Sequence, residues 1–293
     1  MRDIWLSRRV IAYAHQGGAL EAPSSTMYAF TNASAAGVGG LEIDIHRSSD
    51  GVLVVMHDQS VDRTSSGEGN VATLTWAELS QLDNAYWFAP NQNEVTSVGL
   101  SREHYQFRGR APQEPAFGVV RFSELLNTFK DTVINVDIKE APPNTDPYED
   151  QVVDEIFAAN AVDRVMVASF RDSSLFAVRK YAPSVATSAG PGEISEFYFA
   201  MASSRDSAVA LAANAPYVAF QIPRFYGEIE LATQSFIDAA HQAGKAVHVW
   251  TINDEADMEL LLRRGVDGII SDRPTLLSKV LEAHQCAYHL PSN

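Results

Sequence analysis

Short apolar runs and longer amphipathic stretches alternate along almost the whole chain. The short runs are rich in β-branched and aromatic residues, as buried strands are, whereas the longer stretches repeat apolar residues every three or four positions, as helices do. This alternation predicts an α/β fold. Because the pattern contains eight strands, the number that closes a barrel, we expect a TIM (β/α)8 barrel. The predicted strands are 10–15, 41–46, 132–139, 165–170, 185–189, 217–222, 246–251 and 268–271. The predicted helices are 25–36, 148–159, 173–181, 233–243, 255–263 and 275–284, with a weaker pattern at 193–205.

One interval is too long for a barrel connection. Residues 58–131 lie between His57 and the third predicted strand. They contain many glycine and proline turn signals. Residues 53–55 are read as the end of an extra strand, and 58–117 as a lobe inserted after the second strand of a single catalytic domain, 1–293. The lobe is rich in aromatic residues and arginines. It either packs on itself or forms a cap that shapes substrate access.

Composition and charge narrow the classes of partner. The chain has 293 residues, of which 46% are hydrophobic and 20% charged, as in ordinary globular proteins. Its net charge of −15 opposes binding to nucleic acid and to anionic membranes, so a small-molecule substrate is expected. No apolar run is long enough for a membrane span, and no signal peptide is recognised, which predicts a cytoplasmic protein if the chain is complete. The single cysteine, Cys286, excludes an internal disulfide and a cysteine-based zinc cluster.

Charged side chains alternate with aliphatic ones in two of the predicted strands. Glu42 and Asp44 share one face of the second strand, and Asp137 and Lys139 share one face of the third. The aliphatic faces should meet the helices, so the charged faces should point into the barrel lumen. Buried carboxylates that repel one another favour a hard divalent cation with oxygen ligands, whereas ion pairs with basic neighbours are the alternative. Lys139 could supply a positive charge to a phosphoryl oxygen, pair with a carboxylate, or do both.

Two histidines and a tryptophan lie at or near strand ends. His15 ends the first strand and His57 follows the extra strand, so both should reach the C-terminal mouth of the barrel, where barrel enzymes carry their chemistry. Histidine suits proton transfer near neutral pH, and one of the two can act as base while the other acts as acid. Trp250 could stack on the substrate or pack in the core, and core packing is favoured for His248.

These motifs, in this order and spacing, resemble the glycerophosphodiester phosphodiesterase family over about residues 10–280. The matching stretches are HQGG at 15–18, PSST at 23–26, EID at 42–44, DG at 50–51, HD at 57–58, DIK at 137–139, SF at 169–170, WTIN at 250–253 and GVDGIISDRP at 265–274.

The resemblance implies metal-dependent hydrolysis of glycerophosphodiesters to glycerol 3-phosphate and an alcohol. It does not indicate an oligomeric state. The resemblance assigns roles to three groups of residues. They are His15 and His57 as the acid/base pair; Glu42, Asp44 and Asp137 as ligands of one Ca²⁺ or Mg²⁺ ion; and Lys139, Gln16 and Trp250 as residues that contact the phosphate or substrate.

The sequence departs from the family pattern in ways that bear on the substrate. Gln16 stands where the family usually has arginine, and Asp137 where it usually has glutamate. The Asp-x-Lys pattern is also similar to spider-venom phospholipases D, so phospholipase D-like cleavage of lysophospholipids or another phosphodiester is the first alternative. A barrel that binds a phosphorylated ligand without turnover is the second. Because glutamine offers only neutral donors, phosphate monoester products are expected to bind weakly.

Overall fold

The computed structural model describes residues 4–6, 9–141 and 144–288. Its strands are β1 (Ile11–His15), β2 (Gly40–Arg47), β3 (Leu53–Val55), β4 (Val120–Arg121), β5 (Val133–Ile138), β6 (Val165–Ala168), β7 (Ala186–Thr187), β8 (Ala219–Pro223), β9 (Phe225–Tyr226), β10 (Ile229–Glu230), β11 (Ala246–Trp250) and β12 (Gly268–Ser271). Its α-helices are α1 (Met27–Ala35), α2 (Trp76–Leu79), α3 (Phe122–Thr128), α4 (Glu149–Ala158), α5 (Asp172–Tyr181), α6 (Pro191–Ser203), α7 (Arg205–Ala213), α8 (Gln234–Gln242), α9 (Glu255–Arg264) and α10 (Pro274–Ala283).

Eight of these strands form a parallel ring. Their order is β7-β6-β5-β2-β1-β12-β11-β8, and a parallel bridge between Ser188 and Ala219 joins the two ends of the series. The predicted TIM barrel is therefore confirmed, and each of the eight predicted strands overlaps an observed one. The extra strand is also present: β3 pairs antiparallel with β2, and β4 with β3.

Alternate residues of the barrel strands have opposite environments, because successive side chains of a strand point to opposite faces. Tyr13, Val133 and Met166 pack together in the lumen as an apolar floor. Leu41 and Val136, on the opposite faces of their strands, belong to the larger core between strands and helices. The polar lumen residues come later in each strand than the floor residues, so they lie nearer the C-terminal mouth.

Local capping explains where several helices begin and end. The Thr26 hydroxyl accepts a hydrogen bond from the Ala29 amide, so α1 begins at Met27 rather than two residues earlier as predicted. Asp254 caps α9 in the same way, and Gly265 ends it in the left-handed conformation at φ 82°. Within the described residues, no helix combines the length and apolar character needed to cross a bilayer.

Three helices have no counterpart in the prediction. Helices α2 and α3 are short, at four and seven residues, and α7 follows α6 with only Ser204 between them. The weak pattern at 193–205 corresponds to α6, a helix of 13 residues. Ser204 ends α6 with an extended backbone, and its hydroxyl caps α7, which continues the chain beyond the predicted segment.

The segment between β3 and β4 contains α2 and three 3₁₀ helices (Val71–Thr73, Arg102–His104 and Pro115–Phe117). Its aromatic residues pack largely on one another. Phe107 and Phe117 stack at 5.4 Å, and both contact the ring of Tyr28 from α1. The Arg108 guanidinium lies over the Tyr105 ring at 3.5 Å and contacts two further aromatic rings.

Candidate active site

A cavity of about 710 Å³ opens at the C-terminal ends of the barrel strands. Most of the predicted site residues line it, as barrel chemistry requires. They are His15, Glu42, Asp44, His57, Asp137, Lys139 and Trp250.

Three carboxylates and one lysine form the charged part of the cavity. Glu42, Asp44 and Asp137 are all nearly inaccessible to solvent, with Asp44 1% exposed. Asp44 and Asp137 are register partners on neighbouring strands, so their side chains meet in the lumen. Lys139 Nζ lies 2.8 Å from Asp44 Oδ1 and 2.9 Å from Asp137 Oδ2. The ion-pair alternative for Lys139 is therefore what the structure contains, and these two carboxylates raise the pKa of Lys139 against the opposing effect of burial.

One ammonium group does not balance three buried carboxylates. Burial, together with the charge of Asp44, raises the pKa of Glu42 to about 8, and burial raises the pKa of Asp137 as well. Asp44 Oδ2 and Asp137 Oδ1 are buried and accept no hydrogen bond from any described residue. Buried carboxylate oxygens that accept no hydrogen bond fit the ligand preference of a divalent cation. As the side chains stand, however, no group of three His, Cys, Asp or Glu side chains in the described ranges has an arrangement that holds a metal ion.

His15 is held by a chain of hydrogen bonds behind its ring. Its Nδ1 lies 2.6 Å from Asp272 Oδ1, and because a carboxylate only accepts, Nδ1 carries the hydrogen. Asp272 Oδ2 accepts in turn from Asn253 Nδ2 at 2.7 Å. The other ring nitrogen, Nε2, lies 3.8 Å from Glu42 Oε2. Burial alone would lower the pKa of His15, but the charges of Glu42 and Asp272 outweigh it and raise the pKa to about 9.

His57 is held in the same manner by a different aspartate. Its Nδ1 donates to Asp58 Oδ1 at 2.7 Å, and Arg63 grips Asp58 through both carboxylate oxygens, with Nη2 2.8 Å from Oδ1. Although burial opposes it, hydrogen bonding to His57 and Arg63 keeps the pKa of Asp58 well below its usual range. The His57 ring faces the His15 ring edge-on at 6.2 Å between centroids. Two imidazoles, each fixed by an aspartate, thus oppose each other at the cavity.

Gln16 is buried beside His15 and is not among the described residues that line the cavity. Its Nε2 lies 3.3 Å from His15 Nε2. A glutamine side chain has both a donor and an acceptor, so by turning its carboxamide it can serve either protonation state of the imidazole, whereas arginine only donates. Gly17 and Gly18 follow at φ 83° and 96°, and a Cβ on Gly18 would come within 2.6 Å of Pro274, so both glycines serve a tight turn.

The two aromatic residues of β11 have different surroundings. Trp250 lines the cavity, and its ring meets the Phe170 ring edge-on at 5.6 Å. His248 is completely buried, with its ring 5.3 Å from that of Tyr13. The expectation of core packing for His248 agrees with this position, and the substrate role of Trp250 stays a prediction.

Sequence reasoning missed the residues that act behind the histidines and those that form one wall. Asp58, Asp272 and Asn253 lie inside the motifs that carry the family resemblance. Their polar side chains within those motifs were the one sign in the sequence that they could support the histidines. Of the two alternatives for the inserted lobe, the cap finds no support in the cavity lining, because no residue of 58–117 is among the described lining residues. Residues of α6 and of the β9–β10 hairpin form that part of the wall. The inserted lobe contacts the site through Asp58, which accepts from His57, and Arg63, which donates to Asp58.

The model of the glycerophosphoryl diester phosphodiesterase family matches residues 15–276. The chain belongs to this family. It is therefore a phosphoric diester hydrolase, and the prediction of an enzyme is confirmed.

Individual relatives cover nearly the same length. A glycerophosphodiester phosphodiesterase of Caldanaerobacter subterraneus is 28% identical over 272 residues, which is 92% of this chain and 96% of that protein. Among solved structures, a glycerophosphodiester phosphodiesterase of Agrobacterium tumefaciens has a TM-score of 0.69 at 21% identity, over 93% of this chain and 99% of that one. A phosphodiesterase of Oleispira antarctica, solved with the product sn-glycerol 3-phosphate, has a TM-score of 0.67 at 20% identity, over 94% and 97%. These two similarities support the fold.

Proposed function

We propose that this enzyme hydrolyses glycerophosphodiesters to glycerol 3-phosphate and an alcohol, with His15 and His57 as its acid/base pair. The observation that carries the proposal is the opposed pair of imidazoles, each held by an aspartate through Nδ1, above three buried carboxylates and Lys139. The names of the curated relatives and the product bound to the Oleispira antarctica enzyme support the same substrate class.

Glu42, Asp44 and Asp137 would hold one divalent cation, Ca²⁺ or Mg²⁺. The unpartnered oxygens of Asp44 and Asp137 and the raised pKa of Glu42 support this assignment. A bound cation would offset the carboxylate charge and polarise a phosphoryl oxygen. Lys139 supplies a second positive charge to the phosphoryl group, and its ammonium is fixed at the cavity by the carboxylates on both sides.

The two histidines then divide the proton transfers. One Nε2 takes the proton from a glycerol hydroxyl as that oxygen bonds to phosphorus, and the other gives a proton to the leaving alcohol oxygen as its bond to phosphorus breaks. Water then opens the cyclic diester with the two roles exchanged, which leaves glycerol 3-phosphate. Asp58 and Asp272 keep each Nδ1 protonated, so each Nε2 is the nitrogen available for transfer.

The test is turnover of glycerophosphocholine by the purified protein, with EDTA and with added Ca²⁺ or Mg²⁺. His15→Ala and His57→Ala should each lower kcat by about 10²–10⁴-fold, the usual contribution of general acid/base catalysis. His284→Ala is the matched control, because that histidine is exposed near the C-terminus and does not line the cavity. Full turnover after exhaustive chelation would overturn the metal assignment, and near wild-type turnover by a histidine variant would overturn that residue's role.

A further inference from the structure

Two carboxamide side chains bond to each other across the barrel lumen, below the charged groups of the site. Gln221 Nε2 of β8 donates to Asn135 Oδ1 of β5 at 2.9 Å, although β6 and β7 separate these two strands in the ring. Asn135 comes two residues after Val133 of the apolar floor and two before Asp137, so it lies between the floor and the carboxylates. Asn135 and Gln221, here called the amide pair, both line the cavity, so a ligand that enters the lumen reaches them.

The bond within the amide pair leaves part of its hydrogen-bonding capacity unused. Each carboxamide has an NH₂ donor group and an acceptor oxygen. Asn135 Nδ2 and Gln221 Oε1 form no hydrogen bond with any residue in the described ranges, and both atoms remain accessible from the cavity. If both carboxamides turned over, the bond between them would reverse, and one donor group and one acceptor would still be left. The pair therefore offers one of each to a group that occupies the lumen.

Closing the lumen does not require polar residues at this level. Asn135 is 2% exposed and Gln221 is 8% exposed, so little bulk water reaches their polar atoms. Burial of a polar atom without a hydrogen-bond partner is unfavourable. A bridge that served only to fill the lumen would be more stable if it were apolar, as the packing of Tyr13 and Met166 in the floor is. The amide pair is therefore suited to a ligand whose own polar group completes its hydrogen bonds.

A hydroxyl group matches one donor and one acceptor, because it both accepts and donates. A second anion fits less well at this depth, since Glu42 is the register partner of Asn135 on the neighbouring strand. Asn135 and Asp137 are two positions apart, which is about 6.6 Å along a strand. A glycerol unit extends about 6 Å from phosphorus to its terminal oxygen at ordinary bond lengths. A phosphate near Lys139, which bonds to Asp137, therefore leaves that terminal hydroxyl at the amide pair.

We propose that Asn135 and Gln221 bind the terminal hydroxyl of the glycerol moiety, and that the enzyme selects its substrates by this hydroxyl. The cleavage of the substrate rests on the proposed function, but the binding of the hydroxyl does not. With the glycerol in the lumen, its middle hydroxyl is the one beside the phosphate, and the alcohol points to the mouth, where Phe170 and Trp250 line the cavity. An acyl group on the terminal oxygen removes the hydrogen that this oxygen would donate, so the amide pair disfavours substrates acylated there.

The first experiment measures binding without turnover. 3-Hydroxypropyl phosphocholine and propyl phosphocholine are phosphodiesters that lack the neighbouring hydroxyl needed for the proposed chemistry, and they differ from each other only in the terminal hydroxyl. Calorimetry with Ca²⁺ and Mg²⁺ present should give a Kd for the hydroxylated compound that is about 5- to 150-fold lower, because two hydrogen bonds form. Equal Kd values, or tighter binding of the propyl compound, would overturn the proposal.

Variants locate the group that binds the hydroxyl. Gln221→Met keeps the length of the side chain but removes its polar atoms, so the Kd values of the two compounds should become nearly equal. Gln151→Met is the matched control, because the Gln151 carboxamide donates to the Gly51 carbonyl at 2.6 Å but does not line the cavity; it should keep the wild-type ratio. A folded Gln221→Met variant with the wild-type ratio would overturn the assignment. The wild-type comparison needs no variant, so it tests the proposal even if Gln221→Met does not fold.

The second experiment separates this proposal from the proposed function. 2-Hydroxypropyl phosphocholine keeps the attacking hydroxyl of glycerophosphocholine and lacks the terminal one. The ratio of kcat/KM for glycerophosphocholine to that for this analogue should exceed about fivefold in the wild type and fall toward one in Gln221→Met. Hydrolysis of both compounds with equal kcat/KM would leave the function intact and overturn the role of the amide pair. Hydroxyl-dependent binding in the first experiment, without hydrolysis of either compound here, would support the amide pair and overturn the function.

Discussion

Asp272→Asn tests directly whether Asp272 determines which ring nitrogen of His15 carries the hydrogen. In the wild type, Oδ1 accepts from His15 Nδ1 at 2.6 Å and Oδ2 accepts from Asn253 Nδ2 at 2.7 Å. Asparagine has one acceptor oxygen for these two donors, so one of them must meet an NH₂ group. If that donor is His15, its Nδ1 must give up its hydrogen and accept instead, and Nε2, the nitrogen on the Glu42 side, then holds the hydrogen.

Two limits set the size of the effect. Loss of one charge-assisted hydrogen bond costs about 1.5–3 kcal/mol, which corresponds to about 10- to 150-fold in rate. Loss of the tautomer that His15 needs removes its proton transfer, which is worth about 10²–10⁴-fold. Because Asp272 is buried and water has little access to replace the lost acceptor, we expect kcat to fall by at least tenfold and toward the upper limit.

The assay is a double-mutant cycle on the hydrolysis of glycerophosphocholine. It compares wild type, Asp272→Asn, His15→Ala and the double variant, with circular dichroism and thermal unfolding to show that each is folded. Since Asp272 acts through His15, its substitution should change little once His15 is alanine. Asp254→Asn is the matched control, because it changes aspartate to asparagine at a helix N-cap that does not line the cavity.

The reasoning would be refuted if Asp272→Asn caused the same loss in the presence and absence of His15. A folded Asp272→Asn variant with wild-type kcat would refute it as well. A loss of kcat that depends on His15, with a shift of the kcat pH profile to lower pH, would support it, because the Asp272 charge raises the His15 pKa.

Three further predictions concern the metal ligands, the first loop and the far side of the barrel. Divalent cation at about 100 times Kd should stabilise the wild type by about 2.7 kcal/mol, measured as a rise in Tm, and Glu42→Gln should lose most of that rise. Gln16→Arg should tighten inhibition by glycerol 3-phosphate about fivefold or more, because a charge-assisted bond gains about 1 kcal/mol; an unchanged inhibition constant would show that residue 16 does not face the phosphate. The Asp267 carboxylate, 2.8 Å from His241 Nε2, raises the His241 pKa, so the stability this pair adds is present below about pH 6.5 and is lost as the pH rises through the folded pKa. Urea unfolding of His241→Asn should show a deficit of up to about 1 kcal/mol at pH 5.5 that shrinks by pH 8.5, since the pair is partly exposed; a deficit equal at both pH values would contradict this.

The fold could be predicted because the barrel repeats one local pattern. Strands such as β2 and β5 alternate aliphatic and polar residues, and each aliphatic face must meet a helix, so the direction of Glu42, Asp44 and Asp137 followed from periodicity alone. Helix α3 could not be predicted in this way, because seven residues give less than two full turns of pattern. Helix α7 was missed because Ser204, a cap in the structure, reads as an ordinary polar residue in the sequence.

The site was predicted only as far as single strands determine it. Asp272 is 257 residues from His15 along the chain, and only the parallel pairing of β1 with β12 makes them neighbours. The apolar side of the cavity, which includes Phe199 and Tyr226, is harder still to predict from the sequence. Phe199 lies on a helix and Tyr226 on a two-residue strand, and neither has a periodic pattern that marks it as lining a cavity. Periodicity shows which way a side chain points, but not what lies opposite it.

The closure of the ring between β7 and β8 has a consequence for motion. Strand β7 has two residues, pairs with β6 at two positions and meets β8 at one bridge, whereas β2 and β5 pair at six positions. Local opening costs least where fewest backbone hydrogen bonds break, so amide exchange should be fastest along this seam and slowest between β2 and β5. Residues in and after β6, β7 and β8 line the cavity, so the seam borders the site. We therefore expect the barrel to open locally at this seam before it opens between β2 and β5, the strands that carry Glu42, Asp44 and Asp137.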